Sequence, residues 1–127
     1  MRYLLDTHVI IRGFDSNDSL PQQILSIMKN PENVFLISIV SIWEIVIKLC
    51  VKKLNVNFTL DILLKTIKRN NITILPIKQK YLKENLKLKM IHGDPFDRLI
   101  IATAISEKLT LITSDRNMHL YDVDTIW

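Results

Sequence analysis

Short apolar runs alternate along the chain with longer segments in which apolar residues recur every three or four positions. The runs are rich in Leu, Ile and Val and are too short for helices, which predicts buried β-strands. The predicted strands are Arg2–Leu5, Val34–Ile37, Ile72–Leu75 and Thr110–Thr113, with Val123–Trp127 as a candidate fifth strand at the sheet edge.

The segments between these runs have the apolar spacing of amphipathic helices. Ser19-Leu20-Pro21 and Asp94-Pro95 also match helix starts, because each pairs a capping side chain with a proline in the first turn. On the helix of residues 38–49 the spacing predicts that Trp43 is a core residue. The predicted helices are a short one after Asp6, one that begins at Ser19, and the ranges Ser38–Leu49, Thr59–Arg69, Gln79–Leu86 and Asp94–Lys108.

Strands that alternate with helices predict a parallel sheet with helices on both faces, and hence an α/β fold. We expect four to five strands. The chain has 127 residues, of which 48% are hydrophobic and 24% charged, so one domain spanning residues 1–127 is the expected organisation. The longest apolar stretch, residues 34–43, is far shorter than the roughly 20 residues of a membrane-spanning helix.

Cysteine content and charge narrow the function classes. Cys50 is the single cysteine, which excludes an internal disulfide or a cysteine zinc cluster, and we expect a cytoplasmic protein without a membrane contact. The net charge of +4 is unevenly distributed, because residues 48–90 carry +9 and the remainder −5. A basic middle between acidic ends suits a surface for a polyanion beside a site for a cation, although the lysines could also merely solvate helix surfaces.

Four acidic residues fall where ligands bind in parallel α/β sheets, outside the carboxyl ends of the strands. Asp6 directly follows the first predicted strand, and Asp115 follows the fourth by two residues. Glu44 lies about two turns into the helix after the second strand, and Asp97 lies in the first turn of the helix before the fourth. If the first and fourth strands are neighbours, all four carboxylates can converge at one edge of the sheet.

Converging carboxylates repel one another, and no arginine cluster in the sequence neutralises these. A divalent cation is the simplest remedy, and oxygen ligands favour Mg²⁺ or Mn²⁺ over zinc. Carboxylate-bound Mg²⁺ readily takes phosphate oxygens and can activate a water molecule. The expected chemistry is therefore hydrolysis of a phosphodiester.

Three of the four acids, namely Glu44, Asp97 and Asp115, also have a structural interpretation. Asp94 and Asp97 suit a helix start as the N-cap and an acid of the first turn. Ser41-x-x-Glu44 matches a capping box, and Glu44 has the spacing of an ion pair with Lys48.

Asp115 could open a turn. Asp6 resists a structural interpretation best, because a carboxylate directly after a buried strand has little structural reason to be there.

Four sequence blocks, in this order, resemble the PIN-domain nucleases, and most closely the toxins of VapC-type toxin–antitoxin pairs. They cover residues 3 to 115, and together they are specific although each alone is weak. The blocks are Tyr3-Leu4-Leu5-Asp6-Thr7-His8, Ser41-Ile42-Trp43-Glu44-Ile45-x-Ile47-Lys48, His92-Gly93-Asp94-Pro95-Phe96-Asp97-Arg98-Leu99-Ile100-Ile101-Ala102 and Thr113-Ser114-Asp115.

The resemblance implies a Mg²⁺- or Mn²⁺-dependent ribonuclease on a three-layer α/β/α sandwich. By motif position, the catalytic and metal-binding quartet is Asp6, Glu44, Asp97 and Asp115. The resemblance also implies that Thr7 and Ser114 lie beside the acids. Lys48 and Arg98 are the implied candidates for contacts to the RNA phosphate. Asp94 is carried over only as the cap. A homodimer and a cognate antitoxin protein are the implied partners, and composition and periodicity indicate neither.

Departures from the family pattern are small. Gly93 stands where relatives often have a basic residue, and Thr103 where they often have glutamine; both bear on substrate preference rather than on the quartet. His8, His92 and His119 lack the spacing of a zinc helix, and His8 and His92 could instead touch substrate.

Other function classes remain open at this point. A housekeeping RNA-processing nuclease would use the same site, and a catalytically silent metal-binding module is an alternative from another class. A phosphatase or receiver-type domain fits less well, because no second acid follows Asp6 two residues on and no glycine-rich phosphate loop is present.

Overall fold

The computed structural model describes residues 1–15 and 20–127. Its five strands coincide with the five predicted ones to within one or two residues at each end, so the predicted strand count is confirmed. They are β1 (Arg2–Leu5), β2 (Val34–Ser38), β3 (Thr73–Leu75), β4 (Thr110–Ile112) and β5 (Thr125–Ile126).

Within residues 1–15 and 20–127, six α-helices connect the strands, and a short 3-10 helix at Met118–Leu120 was not expected from the sequence. The serine cap predicted at Ser19 lies outside the described residues. The α-helices are α1 (Thr7–Phe14), α2 (Gln22–Lys29), α3 (Ile39–Cys50), α4 (Leu60–Arg69), α5 (Gln79–Lys87) and α6 (Pro95–Glu107).

Side-chain caps fix the beginnings of three helices. Ser38 accepts a hydrogen bond from the Val40 amide at the start of α3, and Thr59 accepts one from Ile62 at the start of α4. Asp94 accepts from the amides of Phe96 and Asp97 at the start of α6. Because each bond satisfies an amide that has no partner within its helix, these residues decide where the helices begin.

The sheet is entirely parallel, with the strand order β3-β2-β1-β4-β5. In the register, Leu5 at the end of β1 is paired with Ile37 of β2 and with Ile112 of β4. The carboxyl ends of the three central strands are therefore level. β2 lies on one side of β1 and β4 on the other, so the connections of the chain lead away from each other at this point. A crevice therefore forms between the carboxyl ends of β1 and β4.

Helices cover both faces of the sheet, which confirms the three-layer α/β/α architecture. Successive residues of β1 point to opposite faces: Leu4 packs into one core, and Tyr3 and Leu5 into the other. The Leu5 core is closed by residues of α1, α2, α3 and α4, and the Leu4 core by residues of α6 and the segment after β4.

The prediction that Trp43 belongs to the core is wrong. The residue is 56% exposed, and its ring forms an edge-to-face pair with Phe96, with ring centroids 5.2 Å apart. Because apolar residues surround α3 on nearly every side, the sequence pattern alone could not show which face is buried. Within the described residues, no helix is long and apolar enough to span a membrane.

Candidate active site

Asp6 is the most deeply buried of the four acids, with no exposed surface. It directly follows β1, and its amide donates to the Ile112 carbonyl of β4 at 3.1 Å, so its backbone is held by both strands. Thr113 Oγ1 donates to Asp6 Oδ2 at 2.9 Å. Asp6 stands at the N-cap position of α1, yet its side chain makes no capping bond to the described part of that helix. Its carboxylate therefore has no helix-capping role.

Glu44 is buried in the second turn of α3 and is bound to Lys48, whose Nζ lies 3.0 Å from Glu44 Oε2. This ion pair was expected from the spacing. The capping-box interpretation of Ser41 and Glu44 is wrong, because the helix begins at Ile39 with Ser38 as its cap. Of the two structural roles that the sequence allowed for Glu44, the capping role is therefore absent and the ion pair with Lys48 is present.

Asp97 is buried in the first turn of α6, where its amide donates to Asp94 Oδ1 at 3.1 Å. Asp94 is thus the helix cap, as predicted. Burial raises the pKa of Asp97 to about 6, and the negative charges of Asp94, Asp6 and Asp115 act in the same direction, while the hydrogen bond from His92 lowers it. The mutual repulsion expected from converging acids is therefore present.

Asp115 is less buried than the other three acids and also has a structural role. It does open a turn, since its Oδ1 accepts from the Asn117 amide at 2.9 Å, and its own amide donates to Thr113 Oγ1 at 3.0 Å. The half-buried side chain still lies close enough to Asp97 to raise the pKa of that carboxyl.

The hydrogen bonding of two buried carboxylates bears on whether this edge of the sheet could hold a cation. Asp6 Oδ1 and Glu44 Oε1 have no hydrogen-bond partner within residues 1–15 and 20–127, and neither have the buried hydroxyls of Thr7 and Ser41. Leaving a buried carboxylate oxygen without a donor or cation is costly. The residues present therefore fit a hard divalent cation, which oxygen ligands prefer.

The described side chains do not form a closed ligand set. No group of three His, Cys, Asp or Glu side chains in residues 1–15 and 20–127 is close enough together to hold an ion. The acids share one edge of the sheet, but cation binding would require them to draw closer. A cleft of about 530 Å³ near α5 and Tyr121 is not this site, because none of the four acids lines it.

The other predicted site residues differ in how accessible they are. Thr7 is buried next to Asp6, whereas Ser114 is exposed beside Asp115. Arg98 is buried, and its Nη1 donates to the Lys89 carbonyl at 2.9 Å and to the Tyr121 hydroxyl at 3.1 Å. These bonds hold the guanidinium inside the protein, which argues against the expected contact between Arg98 and the RNA phosphate.

The three histidines have separate environments. His8 is half exposed, with Nδ1 3.6 Å from Asp6 Oδ2, and its interaction with the Asp6 carboxylate raises its pKa despite partial burial. His92 contacts Asp97, with Nε2 3.2 Å from Oδ2. His119 is used structurally, because its ring nitrogens lie 2.6 Å from Thr125 Oγ1 and 2.9 Å from the Thr113 carbonyl oxygen.

Sequence reasoning missed two residues of the site. Thr113 was placed in a strand and in the fourth motif block without a role of its own, but its hydroxyl joins Asp6 to the Asp115 backbone. Tyr121 lies outside every motif, yet it is buried and contacts both His92 and Arg98. The position of Thr113 at the end of a predicted strand could have indicated its role, whereas the sequence holds no signal for Tyr121.

The sequence matches the PIN domain family over residues 3–124. The chain belongs to the PIN domain family. This match covers all four acids and both residues that the sequence reasoning missed. No curated protein sequence matches the chain.

Solved structures share the fold of this PIN domain at low sequence identity. The crystal structure of VapBC2 from Rickettsia felis bound to a promoter DNA fragment superposes with a TM-score of 0.73 at 20% identity, covering 100% of this chain and 99% of that one. VapBC-1 from nontypeable Haemophilus influenzae gives a TM-score of 0.69 at 16% identity, covering 99% and 97%. FitAcB from Neisseria gonorrhoeae gives 0.65 at 19%, covering 98% and 96%.

Proposed function

We propose that this PIN domain is a Mg²⁺-dependent endoribonuclease that acts as the toxin of a toxin–antitoxin pair. The observation that carries the proposal is the pair of buried carboxylate oxygens, Asp6 Oδ1 and Glu44 Oε1, which have no hydrogen-bond partner among the described residues. Near them lies the carboxylate of Asp97, whose pKa is raised by burial and by the neighbouring acids. Such a cluster is stabilised by a divalent cation. In this proposal residues 1–127 form one nuclease domain that acts in the cytoplasm.

Asp6, Glu44, Asp97 and Asp115 would hold the cation, with Mn²⁺ as a substitute for Mg²⁺. When bound, the ion supplies Lewis acidity and an activated water for phosphodiester hydrolysis. Thr113 holds the Asp6 carboxylate through its hydroxyl.

The surroundings of the acids supply groups that suit an RNA backbone. Lys48 balances the charge of Glu44, and its side chain is 32% exposed, so it can also approach a phosphate. His8 is half exposed beside Asp6, and a raised pKa favours its cationic form near a phosphate. Thr7 and Ser114 are candidates for contacts to water or substrate. Arg98 is left out of this set because its guanidinium is bonded internally.

The proposed partners are a cognate antitoxin and a second copy of the chain. Three of the solved structures with this fold are VapBC or FitAcB complexes, and their agreement in fold over almost the whole chain supports an antitoxin partner here. The homodimer follows from the family resemblance of the motifs.

Cleavage of RNA by the purified protein tests the proposal. We expect cleavage in Mg²⁺, none in EDTA, and a loss of at least about a hundredfold in rate for Asp6→Asn, since this change removes a ligand oxygen directly. Glu32→Gln, which removes an exposed carboxylate on the α2–β2 turn, is the control for the loss of a negative charge and should retain the wild-type rate. Undiminished cleavage by Asp6→Asn would contradict the role of Asp6.

The two remaining functions predict different results. A housekeeping nuclease would cleave RNA in vitro without arresting growth when it is induced, whereas a toxin should arrest growth unless its antitoxin is present. A silent metal-binding module would bind Mg²⁺ without any cleavage.

A further inference from the structure

A chain of hydrogen bonds leads from the protein interior to the Asp97 carboxylate. Arg98 Nη1 donates to the Tyr121 hydroxyl at 3.1 Å, the hydroxyl lies 2.7 Å from His92 Nδ1, and His92 Nε2 lies 3.2 Å from Asp97 Oδ2. Tyr121 and Arg98 are buried, and the His92 side chain is only 13% exposed. Solvent therefore competes little for these bonds.

The directions of these bonds follow from the number of protons available. Tyr121 accepts from Arg98 and has one hydroxyl proton, which the 2.7 Å contact assigns to His92 Nδ1 rather than to the His92 carbonyl at 3.5 Å. Nδ1 is then the acceptor, so the ring proton is on Nε2 and is donated to Asp97 Oδ2. The Tyr121 hydroxyl thus selects the imidazole tautomer that can hold Asp97.

We propose that Tyr121 and His92 are positioning residues that orient the Asp97 carboxylate for cation binding, an inference that rests on the proposed function. With Oδ2 occupied by His92, Asp97 presents its other oxygen in a fixed direction. Hydrogen-bonding partners behind a metal ligand commonly have this effect, because they fix the ligand's orientation before the ion arrives.

The start of α6 does not depend on these bonds. Asp94 already caps the helix through two amides, and Pro95 occupies its first turn. The contact to Asp97 is therefore not explained by helix initiation.

The bonds also connect Asp97 with the segment that carries Asp115. The Asp115 carbonyl accepts from the Met118 amide, and the Met118 carbonyl accepts from the Tyr121 amide. The 3-10 helix thus places Tyr121 at a fixed position relative to Asp115. Through it, two of the four acids are held in one arrangement although they come from different parts of the chain.

The chain offers a matched control for removing the Tyr121 hydroxyl. Tyr81 is also buried, and its hydroxyl donates to Glu107 Oε1 at 2.6 Å between α5 and α6, in a bond that involves none of the four acids. Tyr121→Phe and Tyr81→Phe each delete one buried hydroxyl with a hydrogen bond. Only the first should alter cation binding if the proposal is right.

Calorimetric titration with Mn²⁺ is the principal measurement. For Tyr121→Phe we expect Mn²⁺ affinity to fall about 10- to 100-fold, with most of the cleavage rate restored at saturating Mn²⁺. Tyr81→Phe should bind Mn²⁺ as the wild type does. In ¹⁵N spectra of the metal-free protein, His92 should show a protonated Nε2 and an unprotonated Nδ1, and this signature should be lost only in Tyr121→Phe.

His92 variants supply a second test if Tyr121→Phe folds poorly. His92→Gln retains an N–H donor for Asp97 and should keep more Mn²⁺ affinity than His92→Ala. Equal Mn²⁺ affinity in Tyr121→Phe and Tyr81→Phe, or in the two His92 variants, would overturn the positioning role while leaving the nuclease proposal intact. A wild-type protein that neither binds Mn²⁺ nor cleaves RNA would instead overturn the proposed function and this inference with it.

Discussion

Replacing Asp97 by asparagine should make the metal-free protein more stable, although the same change should abolish cation binding. Asparagine has nearly the same shape and keeps an oxygen that can accept the His92 bond. It removes a buried negative charge that is repelled by Asp6, Asp94 and Asp115. The cost of that charge in the folded state follows from the pKa of Asp97.

Raising the pKa of Asp97 from 3.8 to about 6 means that ionisation is disfavoured in the folded state. The difference corresponds to at most about 3 kcal/mol at pH 7.5, since a tenfold change in an equilibrium constant is about 1.4 kcal/mol. Neighbouring acids can relax, so we expect Asp97→Asn to raise the free energy of unfolding by about 1 to 3 kcal/mol in EDTA.

The sign of the pH dependence also follows. The raised pKa lowers the stability of the wild type progressively as pH increases from about 4 to 6, and the full penalty is present above pH 6. The advantage of Asp97→Asn should therefore be largest at pH 7.5 and should vanish near pH 4.

Urea denaturation in EDTA and in Mg²⁺ measures both effects. Mg²⁺ at a thousandfold excess over its dissociation constant should stabilise the wild type by about 4.1 kcal/mol and the Asp97→Asn variant hardly at all, so the order of stabilities should reverse. Glu32→Gln should change stability by less than about 0.5 kcal/mol in either buffer. If Asp97→Asn is less stable than the wild type in EDTA at pH 7.5, then the Asp97 carboxylate is structural and the reasoning is refuted.

Three further predictions concern residues outside the quartet. The bonds of Glu107 to Lys80 and Tyr81 lower its pKa to about 2, and its ionised form should add about 1 to 2 kcal/mol to the free energy of unfolding at neutral pH, after screening at the exposed lysines is allowed for. Glu107→Gln should lose this stabilisation. The difference in urea denaturation between wild type and variant should disappear as pH falls from 4.5 towards 2. Asp94→Ala should cost about 1 kcal/mol in urea denaturation through the lost cap of α6, and Asp94→Ser should restore most of it. Trp43→Ala should lower the free energy of unfolding by only about 1 kcal/mol, because the indole is mostly exposed, and thermal denaturation measures the change. A loss above about 3 kcal/mol would mean that Trp43 is buried.

The alternation of apolar runs and amphipathic segments was sufficient to predict the parallel α/β fold, because these patterns depend on local periodicity. The start of α6 could also be predicted from the sequence, because Asp94 and Pro95 act within one helical turn. The acids could be named from the four motif blocks. Their proximity could not, because it depends on β1 and β4 being neighbours, and strand order is a long-range property.

Three features were decided by the tertiary structure alone. Trp43 faces outward because the packing of α3 against the sheet selects one of several apolar faces. Arg98 follows Asp97 directly, yet consecutive residues of a helix point about 100° apart, and the guanidinium of Arg98 is directed into the interior towards Tyr121. Tyr121 reaches His92 across 29 positions of the chain, a contact that no local pattern encodes. The sequence by itself determined which acids are available and where the elements lie, whereas packing between distant segments decided which side chains hold those acids in place.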